Sequence, residues 1–143
     1  MRNKTPTLLT CAALALVASP GVAEDAGGAV TVTLTGLPST EGRVYVGLCD
    51  AAGWETFKCM NAMLTPDPDG VTHTWDNVAP GTYGITVLHD ENGNGKMDFN
   101  FFGAPKEKWG SSNNPPPRMG RSKWEDVQFT VADADLTLTI RMQ

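Results

Sequence analysis

A chain of 143 residues with 16 acidic and 11 basic side chains, net charge −5, is long enough for one domain with a buried core. Its acidity repels phosphate backbones, which excludes nucleic acid as a partner and makes divalent cations better ones. Neither a composition break nor a repeat marks a second domain.

The chain opens with Arg2 and Lys4, runs through the apolar stretch Leu8–Ala18, and offers small residues at Gly21-Val22-Ala23. That is the pattern of an export signal, residues 1–23, cut after Ala23. The apolar run is too short to stay as a membrane span, and no later stretch approaches one. A periplasmic or secreted single domain over residues 24–143 is expected, without a transmembrane segment. Losing Arg2 and Lys4 leaves 9 basic against 16 acidic side chains, a net of −7. Cys11 is a poor lipid-attachment site, because most of the apolar run follows it.

Val30, Val32 and Leu34 alternate with threonines, which predicts a half-buried strand. Val44, Val46 and Leu48 predict a second, running into Cys49. Residues 50–64 lack a clean period and read as a loop with a short helical turn. Cys49 and Cys59 form an even pair in an exported chain, so a disulfide is expected to tie this loop down. Val71–Trp75 reads as a third strand. Pro80-Gly81 suits the centre of a type II turn. Tyr83–His89 reads as a fourth strand, and Val127–Val131 and Leu136–Met142 as the last two. Short strands and Gly/Pro turns together predict an all-β fold. The expected form is a single antiparallel β-sandwich, prealbumin- or Ig-like, of about six to seven strands with one long ordered loop; a partly open barrel is the alternative. That loop is Phe99–Lys123. It carries Phe99, Phe101, Phe102 and Trp109, which are expected to pack onto the sandwich, with Asn113–Pro117 as its mobile tip.

Between the fourth strand and this loop lies Asp90-Glu91-Asn92-Gly93-Asn94-Gly95-Lys96-Met97-Asp98. Side-chain oxygens at Asp90, Asn92, Asn94 and Asp98, with a carbonyl from Lys96, match the front of an EF-hand-type calcium loop. A hard cation wants several oxygens at about 2.3–2.6 Å, and alternate residues of a tight turn can aim them inward. The twelfth loop position is Phe101 where an acid would normally stand. A further oxygen must therefore come from Glu107, Asn113, Asn114, Glu125 or Asp126. Read plainly, Asn92-Gly93 and Asn94-Gly95 also make an ordinary turn.

His89, one of two histidines, directly precedes this loop and can hold it by a hydrogen bond. The serines at 39, 111, 112 and 122 lack a nucleophile-elbow pattern. Met60, Met63, Met97 and Met119 with the histidines would make only a weak copper set, and core filling suits them better. Trp75 reads as core. Trp109 and Trp124 flank the long loop, where they pack or stack on a ligand. No catalytic constellation stands out. The expectation is a non-catalytic binding or interaction module for a protein or glycan partner, with calcium as the one cofactor. The alternative is a small hydrolase or carbohydrate-active protein using Asp90, Asp98 or Glu107 with His89.

The run Leu88-His89-Asp90-Glu91-Asn92-Gly93-Asn94-Gly95-Lys96-Met97-Asp98, with Asn100–Glu107, Gly110–Asn114 and the upstream Asn77–Tyr83, resembles the bacterial domain of unknown function 2141 family. The resemblance covers nearly all of residues 24–143. It implies an exported sandwich of the transthyretin-like or carboxypeptidase-regulatory type, and no established activity. The purine-pathway hydrolase of the transthyretin-like group ends in Tyr-Arg-Gly-Ser. This chain ends in Thr139-Ile140-Arg141-Met142-Gln143, so that activity does not carry over.

Overall fold

Where Val, Leu and Ile alternate with Thr, strands form and bury one face. The computed structural model describes residues 27–143, so the export signal, Cys11 and the cut after Ala23 lie outside the described residues. The elements in chain order are β1 (Gly28–Thr35), β2 (Arg43–Cys49), α1 (Ala51–Thr56), β3 (Met60–Leu64), β4 (Val71–Val78), β5 (Gly81–Asp90), β6 (Lys108–Ser111), α2 (Trp124–Val127), β7 (Phe129–Val131) and β8 (Leu136–Arg141). They make a three-stranded sheet, β4-β1-β8, and a five-stranded one, β3-β2-β5-β6 with β7 also on β5. Val30, Val32 and Leu34 of the first sheet meet Val44, Val46, Leu48, Ile85 and Val87 of the second, each almost wholly buried. Burying each such side chain is worth about 1.5–3 kcal/mol, which makes this interface the main stabilising element. The fold is an all-β sandwich. Among the described residues the two sheets stay separate and do not close into a barrel.

Four expectations need correction. The sandwich is not purely antiparallel: β1 and β8 pair in parallel, from Val30↔Leu136 to Thr35↔Arg141. Alternation fixes which face is buried but carries no strand direction. Among the described residues the strands number eight, because β3 and β6 lack a legible period. Residues 50–64 do hold the helical turn, α1, which Asp50 caps by accepting the Gly53 N–H at 2.6 Å, but they also hold a strand: β3 pairs with β2 from Met60↔Leu48 to Leu64↔Val44. Pro80-Gly81 does not form a type II turn; Asn77 takes the left-handed conformation instead, with φ 54°, and Gly81 already belongs to β5. In addition, Val127 is not in the strand. It closes α2 and points into a second small core.

That second core joins Cys49, Trp54 and Val127 with Cys59 and Trp124. Cys49 and Cys59 are disulfide-bonded, and the Trp54 and Trp124 rings lie 6.0 Å apart. Trp54 and Trp124 are therefore packing residues. Trp75 is core as well, its indole N–H donating to the Met60 carbonyl at 3.2 Å.

The centre of the larger sheet is β5. One edge pairs with β2 from Gly84 to Asp90. The other is shared: β7 takes Gly81–Tyr83 and β6 takes Thr86–His89. Ser112 fills the junction. Its N–H donates to the Ile85 carbonyl at 3.0 Å, while its hydroxyl accepts the Ile85 N–H at 2.9 Å and donates to the Val127 carbonyl. One buried side chain thus replaces the missing rung of the ladder.

Candidate functional site

Asp90 ends β5 and is fully buried, whereas Glu91 to Lys96 are exposed. Its carboxylate gathers the loop. Oδ1 accepts the N–H of Gly93 at 2.8 Å and of Asn94 at 3.2 Å, and Oδ2 accepts that of Gly95 at 2.7 Å. Asn92 and Asn94 add the same kind of turn: their Oδ1 atoms accept the N–H groups of Asn94 and Lys96, each at 3.0 Å. These bonds turn both amide nitrogens toward Asp98. Asn94 Nδ2 donates to Asp98 Oδ2 at 2.7 Å, and Asn92 Nδ2 donates to the same oxygen. The four side chains from Asp90, Asn92, Asn94 and Asp98 thus converge on one loop.

Glu107, just before β6, reaches back to this loop. Its Oε2 accepts the Asp98 N–H at 3.1 Å, while Oε1 is buried without a hydrogen-bond partner. Glu107 is only 7% exposed, so a bare carboxylate oxygen here costs free energy unless something meets it. Gly42 clamps the other side. A Cβ there would lie 1.9 Å from the Asp90 carbonyl oxygen, and its φ of +71° is one only glycine adopts freely. His89 Nε2 shares a hydrogen bond with the Glu41 carbonyl at 2.8 Å, and its Nδ1 stands 3.9 Å from a Glu91 carboxylate oxygen. The ring is fully enclosed, so it steadies the hairpin and is not presented to a substrate. The alternative of a hydrolase using His89 gains no support from this geometry.

Of the further oxygen donors named from the sequence, Glu107 is the one hydrogen-bonded to the loop. Asn113 Nδ2 donates to the carbonyls of Asp126 and Gln128, and Asn114 bonds Thr139 O and Arg141 N along β8. Both asparagines hold left-handed backbone, φ 64° and 47°. They fasten the segment to the sandwich rather than form a mobile tip. Asp126 pairs with Arg118 at 3.0 Å. Among the described residues no three His, Cys, Asp or Glu cluster as a metal-holding group. A cation at this loop therefore depends on amide and carbonyl oxygens besides the acids.

The long segment is ordered, but most of its aromatics do not pack down. Residues 98–106 form a small hairpin, with Lys106 N–H donating to Asp98 O at 2.8 Å and Asn100 N–H to Ala104 O at 2.8 Å. The Asn100 side chain caps its tip by accepting the Phe102 and Ala104 N–H groups. Phe99 is exposed, and Phe101 and Phe102 stand out at 97% and 85% exposure, their rings edge to face. Local turn bonds, not burial, determine where these rings go.

The hairpin also walls a pocket that sequence patterning did not reveal. It holds about 480 Å³ over the outer face of the larger sheet. Thr86, Leu88 and Trp109 form its floor, Met97 and Phe99 one wall, and Arg121 another. Burial lowers the Arg121 pKa from its ordinary value, and the charge of Glu55 pulls it partly back. Sequence signals for this pocket were weak: alternation assigns Thr86 and Leu88 to the outer face, but nothing local says that a loop returns to cover them.

A family model described as an uncharacterized protein conserved in bacteria (DUF2141) matches residues 32–139. Neither a curated protein nor a solved structure matches the chain.

Proposed function

Because the chain belongs to the DUF2141 family, whose description names no activity, its function must be read from its own side chains, and we propose that it is an exported, non-catalytic binding module whose loop at residues 90–98 takes calcium. The observation that carries this reading is the convergence of Asp90, Asn92, Asn94 and Asp98 beside the bare Oε1 of Glu107. Glu107 stands in for the acid missing at Phe101. The Asn92 and Asn94 amides now give their nitrogens to Asp98; half a turn of each amide offers oxygen instead and gives up its bond to the Asn94 or Lys96 N–H. The Lys96 carbonyl completes the set named from the sequence. Asp90 holds the backbone of the loop in shape through three N–H bonds, so little ordering remains to be done on binding.

Export rests on the leader pattern at Arg2, Lys4 and Gly21-Val22-Ala23, with the Cys49–Cys59 disulfide as a second support, since such bonds persist in oxidising compartments. No helix of the described residues is long and apolar enough to cross a membrane.

With Asp90 already bound to three loop N–H groups, Asp98 and Glu107 are the carboxylates left, and with neutral oxygens they predict weak binding, with Kd of roughly 10⁻⁴–10⁻³ M. Calorimetric titration of calcium chloride into chelator-stripped protein tests this. At free calcium about tenfold above Kd the fold gains about 1.4 kcal/mol. Asp98→Asn and Glu107→Gln should each weaken binding and reduce that gain. Neither heat nor a shift in Tm at roughly 10 mM calcium, well above the expected Kd, would end the proposal.

A further inference from the structure

Arg121 is the least explained charge in the molecule. Its guanidinium lies 3.9 Å from the Trp54 ring centre and 4.2 Å from that of Phe57, and Nη1 donates to the Trp54 carbonyl. Nε and Nη2 are buried without any hydrogen-bond partner. Among the described residues no carboxylate lies within salt-bridge distance of Arg121, and the Glu55 charge acts on it only from farther away. A guanidinium offers five N–H donors in a fork that matches a carboxylate. Leaving two of its nitrogens idle at the wall of an apolar pocket calls for an explanation.

Phe57 supplies part of it. This bulky residue ends α1 with φ 58°, a conformation that glycine usually takes at a helix end. The strained backbone lays its ring over the guanidinium, yet the ring itself is 67% exposed. Little packing holds it there, and swinging it aside would open the guanidinium to the pocket. Beyond Arg121 the lining is mainly Leu88, Met97, Phe99 and Trp109, and the volume of about 480 Å³ suits a small ligand.

We infer that this pocket binds a small amphiphile with one carboxylate head and an apolar body, the head on Arg121 and the body over Leu88, Met97 and Trp109. This goes beyond the calcium reading and does not rest on it. The protein's overall acidity does not oppose it, because a half-buried guanidinium without a salt-bridge partner sets the local field.

The test is titration of the full exported chain with dodecanoate, below its micellar concentration and in chelator, followed by Trp fluorescence. Dodecanol serves as the uncharged control. The wild type should bind dodecanoate at least about tenfold more tightly than dodecanol, the step given by one charge-assisted fork. Arg121→Gln should erase that preference while leaving dodecanol binding in place, which a purely structural arginine would not do. Should Arg121→Gln fail to fold, Thr86→Phe keeps the guanidinium and fills the floor, and should abolish binding of both probes. The inference is overturned by absence of dodecanoate binding, by equal affinity for the two probes, or by unchanged dodecanoate affinity in Thr86→Phe. It is also overturned by binding to phosphatidylglycerol vesicles without binding to free dodecanoate, which would assign the exposed Phe side chains to a membrane surface. Running the titration in chelator separates its failure from failure of the calcium reading.

Discussion

Replacing Ser112 with alanine removes a single oxygen at the junction between β6 and β7, and the cost follows from what that oxygen bonds. It accepts the Ile85 N–H at 2.9 Å and donates to the Val127 carbonyl at 2.5 Å, and Ser112, Ile85 and Val127 are each 0% exposed. Alanine therefore strands one buried donor and one buried acceptor. Each stranded group costs about 1–3 kcal/mol, so the loss is about 2–6 kcal/mol. For a domain of this size 1 kcal/mol moves Tm by about 4 °C, so Tm should fall by about 8–24 °C. Its neighbour is the control. The Ser111 hydroxyl reaches only the Ser122 hydroxyl, at 3.4 Å, so Ser111→Ala should cost under about 1 kcal/mol. Scanning calorimetry at neutral pH measures both. Equal shifts in the two variants would refute the assignment of Ser112 as the missing rung.

Two further predictions concern the frame around the site. Replacing Cys49 and Cys59 together by serine opens the ten-residue separation the disulfide closes and should lower stability by about 2–3 kcal/mol. The urea midpoint reads this, and an unchanged midpoint would show that the second core holds the segment alone. Gly42→Ala forces a Cβ to 1.9 Å from the Asp90 carbonyl oxygen, whereas Gly95, φ +78°, has nothing within 4 Å of its missing Cβ. Gly95→Ala should therefore cost only the conformational term of about 1–2 kcal/mol. Gly42→Ala should cost clearly more and weaken calcium binding through displacement of Asp90; equal denaturation midpoints would refute the clamp.

Much of the sandwich was legible because its inner face is read by period. Val30, Val32 and Leu34, and then Leu136, Leu138 and Ile140, state which side is buried, and both sets line one sheet. What they do not state is direction, so the parallel pairing escaped. β3 escaped because it is an edge strand with Met60, Asn61 and Met63 exposed, which leaves no alternation to read. β6 is four residues long and contains Gly110, whose missing side chain lets Ile140 approach. At the site, the spacing of Asp90, Asn92, Asn94 and Asp98 placed four oxygens on one turn, and Glu107 was among the residues named to join them. Asn113 and Asn114 were named too, but no spacing rule reveals that an amide is already bound to backbone carbonyls 13 and 25 residues away. Hydrophobicity misjudged Phe101 and Phe102 because the Asn100-capped turn holds them outward. Arg121 escaped because neither charge patterning nor periodicity anticipates a lone cation stacked between rings from a distant helix.

The divided edge of β5 separates scaffold from outgrowth. Chain leaving at Ser112 returns at Phe129 onto the same strand, and between the Asn114 and Val127 anchors it makes a detour that pairs with no strand. Arg121 rides on that detour. A change of length or charge confined to residues 115–121 would therefore reshape this side of the cavity without touching a strand pairing.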